Sequence, residues 1–239
     1  LWGNGSILGF RITNARLNGI ECRGTSSVIA NNIISGNNWA IYADLGASPL
    51  IINNVLTKNS AGIVCERGSS PIITNNIIAE NNDGIGSYNG STPRIDYNNW
   101  WNRNVNFDHC SPGPHDIFVD PQFVSTSTEN YHLQPTSPCI DTGTSTGAPA
   151  NDIDGDTRPQ DADYDMGADE YKVTNIIINP IRVPADYPTI QQGIDACPEN
   201  GTVTVEAGTY SEEIWLTKKI TLIGIGMPTI TGAHNHNVY

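Results

Sequence analysis

The sequence has few charged residues and very few basic ones. Charged side chains make up 15% of the 239 residues, and 12 Lys and Arg stand against 25 Asp and Glu, for a formal net charge of -13. Nucleic acids and anionic membrane surfaces are bound by basic patches, because their phosphates must be neutralised. The shortage of Lys and Arg therefore argues against nucleic acid as a partner.

Long apolar runs and closely spaced cysteines are also missing. A helix that spans a bilayer needs about 20 consecutive apolar residues, and no stretch approaches that, so no membrane insertion is expected. The cysteines are odd in number and widely spaced, without a CxxC pair, which argues against a structural zinc site. They are Cys22, Cys65, Cys110, Cys139 and Cys197. Buried free thiols are the expectation, with a disulfide between Cys110 and Cys139 as the alternative.

What the sequence does contain is an internal repeat of 22 residues, which is sought before anything else because it decides the fold. Three consecutive copies read VIANNIISGNNWAIYADLGASP (28–49), LIINNVLTKNSAGIVCERGSSP (50–71) and IITNNIIAENNDGIGSYNGSTP (72–93). A shorter variant precedes them, and RIDYNNWW begins another. Apolar residues alternate over short runs, β-branched residues dominate, and helical spacing is absent.

This period, with two or three short strands per unit, is typical of one coil of a parallel β-solenoid, an all-β fold. Equivalent positions then stack about 4.8 Å apart. One asparagine of each Asn-Asn pair is predicted to form a ladder of side-chain amides along the stack, and one isoleucine per coil is predicted to fill the interior. The ladder residues are Asn32, Asn54, Asn76 and Asn98, and the isoleucines are Ile20, Ile41, Ile63 and Ile85.

These repeats resemble right-handed parallel β-helix proteins, a broad superfamily that includes pectate lyases and many bacterial surface proteins. SPCIDTG (137–143) and DIDGDTRPQDADYDMGADEY (152–171) resemble the closing part of choice-of-anchor β-helix domains, and residues 186–226 resemble their opening part. In the opening part, Thr189 is expected to cap a short amphipathic helix that covers the end of the solenoid. The resemblance implies the fold, but it leaves function open because this architecture carries many activities.

The opening part follows the closing part along the chain, so the last residues read continuously into the first ones. We expect an assembly junction at Val238, Tyr239, Leu1 and Trp2. A tandem array, a head-to-tail filament, a circular permutant and an arbitrary boundary of the sequence all explain this order. The expected domains are β-helix coils (1–145), an acidic closing segment (146–171), a connector (172–187), and a capping helix with first coils that continue into residue 1 of the same or the next unit (188–239).

Acidic residues cluster in the closing segment, where carboxylates two residues apart can converge on calcium. The candidate calcium ligands are Asp152, Asp154, Asp156, Asp163 and Asp165. The order of residues departs from an EF-hand loop, and a hydrogen-bonded acidic loop, with Arg158 paired to one carboxylate, is the alternative. No other cofactor is indicated.

Catalytic residues are not evident, because the outward charges of the repeats fall at different positions and form no dense cleft. The motifs of polygalacturonases, pectate lyases and pectinesterases are absent. The histidines are expected at the surface, and aromatic residues such as Trp39, Tyr42, Tyr88, Trp100 and Trp101 can stack on sugars or pack beneath loops. We predict a non-catalytic, extracellular or cell-surface structural unit whose partners are copies of itself. A domain that binds or cleaves polysaccharide is the alternative.

Overall fold

The structure is a computed structural model that describes residues 3–172 and 180–232. The chain divides into two compact units, residues 1–173 and 174–239. Each unit is built from short parallel strands and is described by itself below. The junction residues Leu1, Trp2, Val238 and Tyr239 lie outside the described residues.

Unit 1 contains three parallel sheets of five strands each, and every coil gives one strand to each sheet. Sheet A consists of β1 (Ser6–Leu8), β4 (Val28–Ala30), β7 (Leu50–Ile52), β10 (Ile72–Thr74) and β13 (Arg94–Asp96). Sheet B consists of β2 (Arg11–Thr13), β5 (Ile33–Ser35), β8 (Val55–Thr57), β11 (Ile77–Ala79) and β14 (Asn99–Trp101). Sheet C consists of β3 (Asn18–Arg23), β6 (Trp39–Asp44), β9 (Ala61–Cys65), β12 (Asp83–Ser87) and β15 (Phe107–Asp108).

The register follows the 22-residue repeat, so that Val28 lies opposite Leu50 and Leu50 opposite Ile72. Side chains of a strand alternate between the two faces of a sheet, and one column per sheet therefore points inward. Those columns are Ile29, Ile51 and Ile73 in sheet A, Ile34, Leu56, Ile78 and Trp100 in sheet B, and Ile20, Ile41, Ile63 and Ile85 in sheet C. The predicted interior isoleucine column is confirmed.

The small residue before each sheet C isoleucine is explained by close packing between coils. A Cβ atom at Gly62 would lie 2.7 Å from the carbonyl oxygen of Gly84 and 2.7 Å from Ile78 Cγ2. Any side chain at Gly62 would therefore displace these neighbouring atoms, because protein interiors leave no space of that size.

Sheet B has a second apolar column on its outer face, and the chain after the coils covers it. Ile33, Val55 and Ile77 are buried there. The covering residues come from the antiparallel hairpin of β16 (Phe123–Ser125) and β17 (Asn130–Leu133), from the chain that follows it and from the acidic closing segment. They are Phe123, Tyr131, Leu133, Cys139, Met166 and Ala168.

Unit 2 begins a similar arrangement of parallel strands. One sheet contains β18 (Ile181–Val183), β19 (Thr202–Val205) and β21 (Thr221–Gly224), and a second contains β20 (Thr209–Ser211) and β22 (Thr229–Thr231). The helix α1 (Ile190–Ala196) starts at Thr189, whose side chain accepts a hydrogen bond from the backbone of Gln192. Its buried residues Ile190 and Ile194 join Cys197 and the valines of β18 and β19 in one core.

The all-β solenoid with coils of about 22 residues and a short helix is therefore confirmed. All five cysteines are free, Cys110 half-buried and the others buried, so the structure contains no Cys110–Cys139 disulfide. Among the described residues, no helix is long and apolar enough to cross a membrane.

Candidate functional sites

A ladder of asparagine side chains runs through unit 1 beside the core. Nδ2 of Asn32 donates to Oδ1 of Asn54 at 3.0 Å, Asn54 donates to Asn76 at 2.9 Å, and Asn76 to Asn98 at 3.0 Å. Each Oδ1 also accepts the backbone N–H of the preceding asparagine in the ladder. Each Nδ2 also donates to a carbonyl oxygen of the preceding coil, such as Ile29 O for Asn54. These buried amides are thus fully hydrogen-bonded, as burial demands.

The ladder ends on a carboxylate rather than an amide. Both the backbone N–H and Nδ2 of Asn98 donate to Oδ1 of Asp116, at 2.7 and 3.1 Å. Its other oxygen accepts the N–H of Gly113. Burial raises the pKa of Asp116, although these donors favour its charged form. The ionised carboxylate of Asp116 only accepts hydrogen bonds, so the series of amide donors in the ladder ends there.

A second ladder was not anticipated from the sequence. Nδ2 of Asn37 donates to Asn59, Asn59 to Asn81 and Asn81 to Asn102, at 2.9 to 3.0 Å. Asn102 in turn donates to Asn106 at 2.9 Å. The first three asparagines recur at 22-residue spacing, and that recurrence was the available signal.

The other asparagine of each pair binds the chain that covers the coils. Asn31, Asn53 and Asn75 have left-handed backbone conformations, with φ of 53°, 51° and 53°, which asparagine tolerates better than most residues. Their Nδ2 atoms donate to carbonyl oxygens of Asn151, of Asp165 and Gly167, and of Thr144, respectively. Adjacent asparagines therefore have different roles, one joining coils and one holding the closing segment.

The five candidate calcium ligands do not share one site. Asp152 accepts the N–H groups of Asp154, Asp156 and Glu170. Asp156 pairs with Lys172 at 2.9 Å, and Asp163 Oδ1 accepts the N–H of Tyr164. Asp165 accepts the N–H groups of Asp141 and Tyr171, and burial raises its pKa to about 7. Among the described residues, Asp154 alone of the five belongs to a group with metal-ligand spacing.

A buried ion pair fixes the middle of the closing segment. Arg158 and Glu170 are in contact, with side chains 0% and 1% exposed. Arg158 also donates to the carbonyl oxygens of Gly167 and Ala168. The pairing of Arg158 with a carboxylate across the loop is therefore present. These bonds satisfy both terminal nitrogens of Arg158, whereas its Nε is buried without a hydrogen-bond partner among the described residues.

The group with metal-ligand spacing consists of His132, Asp154 and Asp169, whose ligand atoms lie within 4.8 Å of one another. Nε2 of His132 is 2.7 Å from Oδ2 of Asp154 and 4.0 Å from Oδ1 of Asp169. Burial alone would lower the pKa of His132, but the two carboxylates outweigh it and raise that pKa. His132 comes from β17 and both carboxylates from the closing segment, so sequence spacing alone did not reveal the group.

The histidines and aromatic residues fall into distinct environments. His109, His115 and His132 are at least half exposed, while His234 and His236 lie outside the described residues. Trp100 is fully buried in the core, whereas Trp101 is 47% exposed. The rings of Trp39 and Tyr42 lie 4.9 Å apart, and the Tyr88 hydroxyl donates to Asp108.

Trp101 borders two adjacent polar cavities beside sheet B, of about 310 and 500 Å³. Glu80 lines both, together with charged and amide side chains that include Asp120, Gln122, Lys58 and Arg103. A separate, more apolar groove of about 510 Å³ lies beside sheet A, with Asp96 as its single carboxylate. Neither the cavities beside sheet B nor the groove beside sheet A is lined by three carboxylates in register.

The two ends of the coil stack in unit 1 differ. Beyond the last coil, Ile117 bonds to the backbone of both Asn98 and Trp100, and Asp116 closes the ladder. At the first coil, β1, β2 and β3 are edge strands, and no described residue forms a strand on their free side. Leu8, Phe10 and Leu17 are exposed in this coil.

Comparison with known proteins agrees with this geometry. Residues 3–114 match the family described as "Right handed beta helix region". This part of the chain is similar to that family, and its described coils form a parallel β-solenoid. No curated protein and no solved structure gives a significant match to the chain. The family match thus agrees with the solenoid fold of residues 3–114. The more specific resemblance to choice-of-anchor domains stays a prediction.

Proposed function

We propose that this protein is a non-catalytic structural unit whose copies join end to end by parallel strand pairing. The observation that carries the proposal is the open first coil of unit 1, where β1, β2 and β3 have no strand on their free side among the described residues. Edge strands of this kind pair with other chains unless they are covered or charged. Here the coil exposes the apolar Leu8, Phe10 and Leu17 as well as the charged Arg11 and Arg16.

The complementary surface is the last coil of unit 2. β21 is the outer strand of its sheet, and β20 and β22 pair with each other. Ile223, Ile225, Met227 and Ile230 are exposed around these strands. In unit 2, α1 packs against side chains of β18 and β19, which lie away from the outer strand β21. Pairing of the first coil of unit 1 with the outer strands of unit 2 in another copy produces head-to-tail chains.

The interior of unit 1 suits a load-bearing or spacing role. Two asparagine ladders and three apolar columns continue from coil to coil with the same register. The solenoid therefore resists bending through contacts repeated along its axis. An extracellular or cell-surface location is part of the proposal and is supported by the sequence resemblance alone.

The test is the assembly state of the full chain over a concentration series, measured by sedimentation velocity. Wild-type protein is expected to form longer species as concentration rises. The double variant Phe10→Lys, Leu17→Lys places charges on the exposed first coil and is expected to remain monomeric. Ile72→Lys is the matched control, because Ile72 is 45% exposed on the side of sheet A away from the coil end.

Two outcomes would reject the proposal. A wild-type chain that is monomeric up to its solubility limit has no head-to-tail pairing in solution. Equal loss of assembly in Ile72→Lys would place the contact on the side of the solenoid rather than at its end.

Carbohydrate binding is a second candidate, favoured by Trp101. Its half-exposed ring adjoins cavities lined by carboxylate, amide and hydroxyl groups, and sugar sites combine an apolar face with a few polar groups. Affinity electrophoresis in gels containing neutral or acidic polysaccharide tests this. Trp101→Ala is expected to abolish retardation, while Trp215→Ala, which removes a 65% exposed indole from unit 2, keeps it. No retardation of the wild-type chain in either gel contradicts this candidate.

A further inference from the structure

We propose that His132, Asp154 and Asp169 bind a divalent transition-metal ion of the zinc class through one nitrogen and two oxygen atoms. This inference is independent of the structural role proposed above. It differs from the calcium site expected from the sequence in its ligands, since Asp154 alone is common to both. Calcium prefers oxygen ligands only, whereas imidazole nitrogen favours zinc and its neighbours.

The geometry is close to that of a metal centre. Zinc bonds of about 2.0–2.1 Å in a tetrahedral arrangement place neighbouring ligand atoms about 3.3 Å apart. Nε2 of His132 lies 2.7 Å from one carboxylate and 4.0 Å from the other, which brackets that separation. His132 and Asp154 are both half-exposed, so small movements of these two side chains equalise the distances.

The groups behind the ligands orient them as in known metal sites. Nδ1 of His132 lies 2.5 Å from Oδ1 of Asn130. A proton on Nδ1 that is donated to Asn130 leaves the Nε2 lone pair directed at the two carboxylates. Oδ2 of Asp169 accepts the N–H of Leu133 at 2.9 Å, which leaves Oδ1 for the ion. Metal-binding histidines usually have such a partner on the other ring nitrogen.

The cavity beside the group is the second, independent observation that points to a ligand. His132 and Asp169 line a cavity of about 240 Å³ together with Tyr131, Glu129 and Arg11. The cavity leaves room for water or a small anionic ligand at an open coordination position.

The charges also suit a divalent ion. Two carboxylates with a neutral imidazole carry two negative charges, and Asp152 adds to their field. The nearest guanidinium on the cavity wall, that of Arg11, is paired with Glu129 at 2.7 Å. A bound ion would cross-link β17 to the closing segment. It would thereby stabilise the packing of both against the outer face of sheet B.

Isothermal titration of the full, tag-free chain with zinc chloride, after removal of metals by a chelator, tests the proposal. One saturable site is expected, and His132→Ala and Asp154→Asn are each expected to weaken binding at least about tenfold. The matched controls His115→Ala and Asp156→Asn remove residues of the same types that contact one carboxylate and one lysine, respectively. They are expected to keep the wild-type affinity, as is Cys110→Ser, which removes the half-buried thiol.

Cobalt(II) gives a second readout, because a tetrahedral nitrogen and oxygen site has visible absorption bands that depend on His132. Circular dichroism checks that the variants are folded. No saturable zinc binding, or equal affinity in His132→Ala, overturns the proposal. Calcium that binds with equal affinity in wild type and His132→Ala would replace it with an oxygen-only site.

Discussion

At the scale of single residues, the buried asparagines of the ladder contribute through complete hydrogen bonding. Asn54 accepts from Asn32 and donates to Ile29 O, Ile52 O and Asn76. Removal of its amide leaves donors and acceptors on two neighbouring coils without partners. An unsatisfied buried group costs about 1–3 kcal/mol, which is more than a satisfied hydrogen bond contributes.

We therefore predict that Asn54→Ala lowers the free energy of unfolding by about 2–4 kcal/mol. Asn82→Ala is the control, because Asn82 is exposed and the hydrogen bonds to neighbouring coils come from its backbone N–H and carbonyl oxygen. Its effect is expected within about 0.5 kcal/mol. Denaturant unfolding followed by circular dichroism measures both, and equal losses would contradict a specific role for the ladder.

The buried pair of Arg158 and Glu170 leads to a second prediction. Arg158→Met leaves a carboxylate without its partner in a site that excludes water, and such a change costs about 3–5 kcal/mol. Arg11→Met breaks the exposed pair with Glu129, whose side chains are 41% and 53% exposed, and is expected to cost less than about 1 kcal/mol. Urea unfolding of the two variants gives the comparison, and similar losses would show that burial is not decisive.

At the scale of elements, the closing segment makes stability depend on pH through Asp165. Burial raises the pKa of this carboxyl from 3.8 to about 7, so the folded state holds its proton where the unfolded state has released it. A raised carboxyl pKa lowers stability as pH rises from the unfolded to the folded value. The protonated Asp165 therefore contributes its full stabilisation of the folded state below about pH 4, and this stabilisation is lost by about pH 7.

We predict that the free energy of unfolding of wild type falls relative to Asp165→Asn between about pH 4 and about pH 7, by a few kcal/mol. Asp116, Asp169 and Glu170 also have raised pKa values, but they are the same in both proteins and cancel in the comparison. Unfolding curves at several pH values provide the measurement. A wild-type chain that gains stability over this window would show that the N–H groups around Asp165 outweigh its burial.

The coils could be predicted from the sequence more fully than the closing segment. In the coils, alternation within a strand and the 22-residue period between strands both place Ile51 or Asn54 in a column. The closing segment has no repeat, and its partners lie more than 100 residues away, as in the bond between Asn31 and Asn151. Tertiary contacts alone bring His132 near Asp154 and Asp169, so the acidic pattern indicated a different set of ligands.

At the scale of the whole molecule, the closing segment limits a fold that is otherwise extensible. Solenoids gain stability from added repeats, because each new repeat contacts only its neighbours. Here Asn31, Asn53 and Asn75 on three consecutive coils each bond to the chain around the closing segment. The same stretch of chain also covers Ile33, Val55 and Ile77 on these coils. The length of this covering chain is therefore matched to the number of coils that it spans.

We therefore predict that a duplicated coil, residues 50–71 inserted again after Pro71, lowers the denaturant midpoint of unit 1 although it lengthens the ladders. The extra coil keeps the strand register but leaves one outward apolar residue uncovered and one corner asparagine without its partner. Insertion of the first half of that coil alone is the control, and it is expected to abolish the β signal because half a coil breaks the register. Circular dichroism and guanidinium unfolding measure both. A duplicated variant with a higher midpoint than wild type would show that stacking between coils outweighs the closing segment.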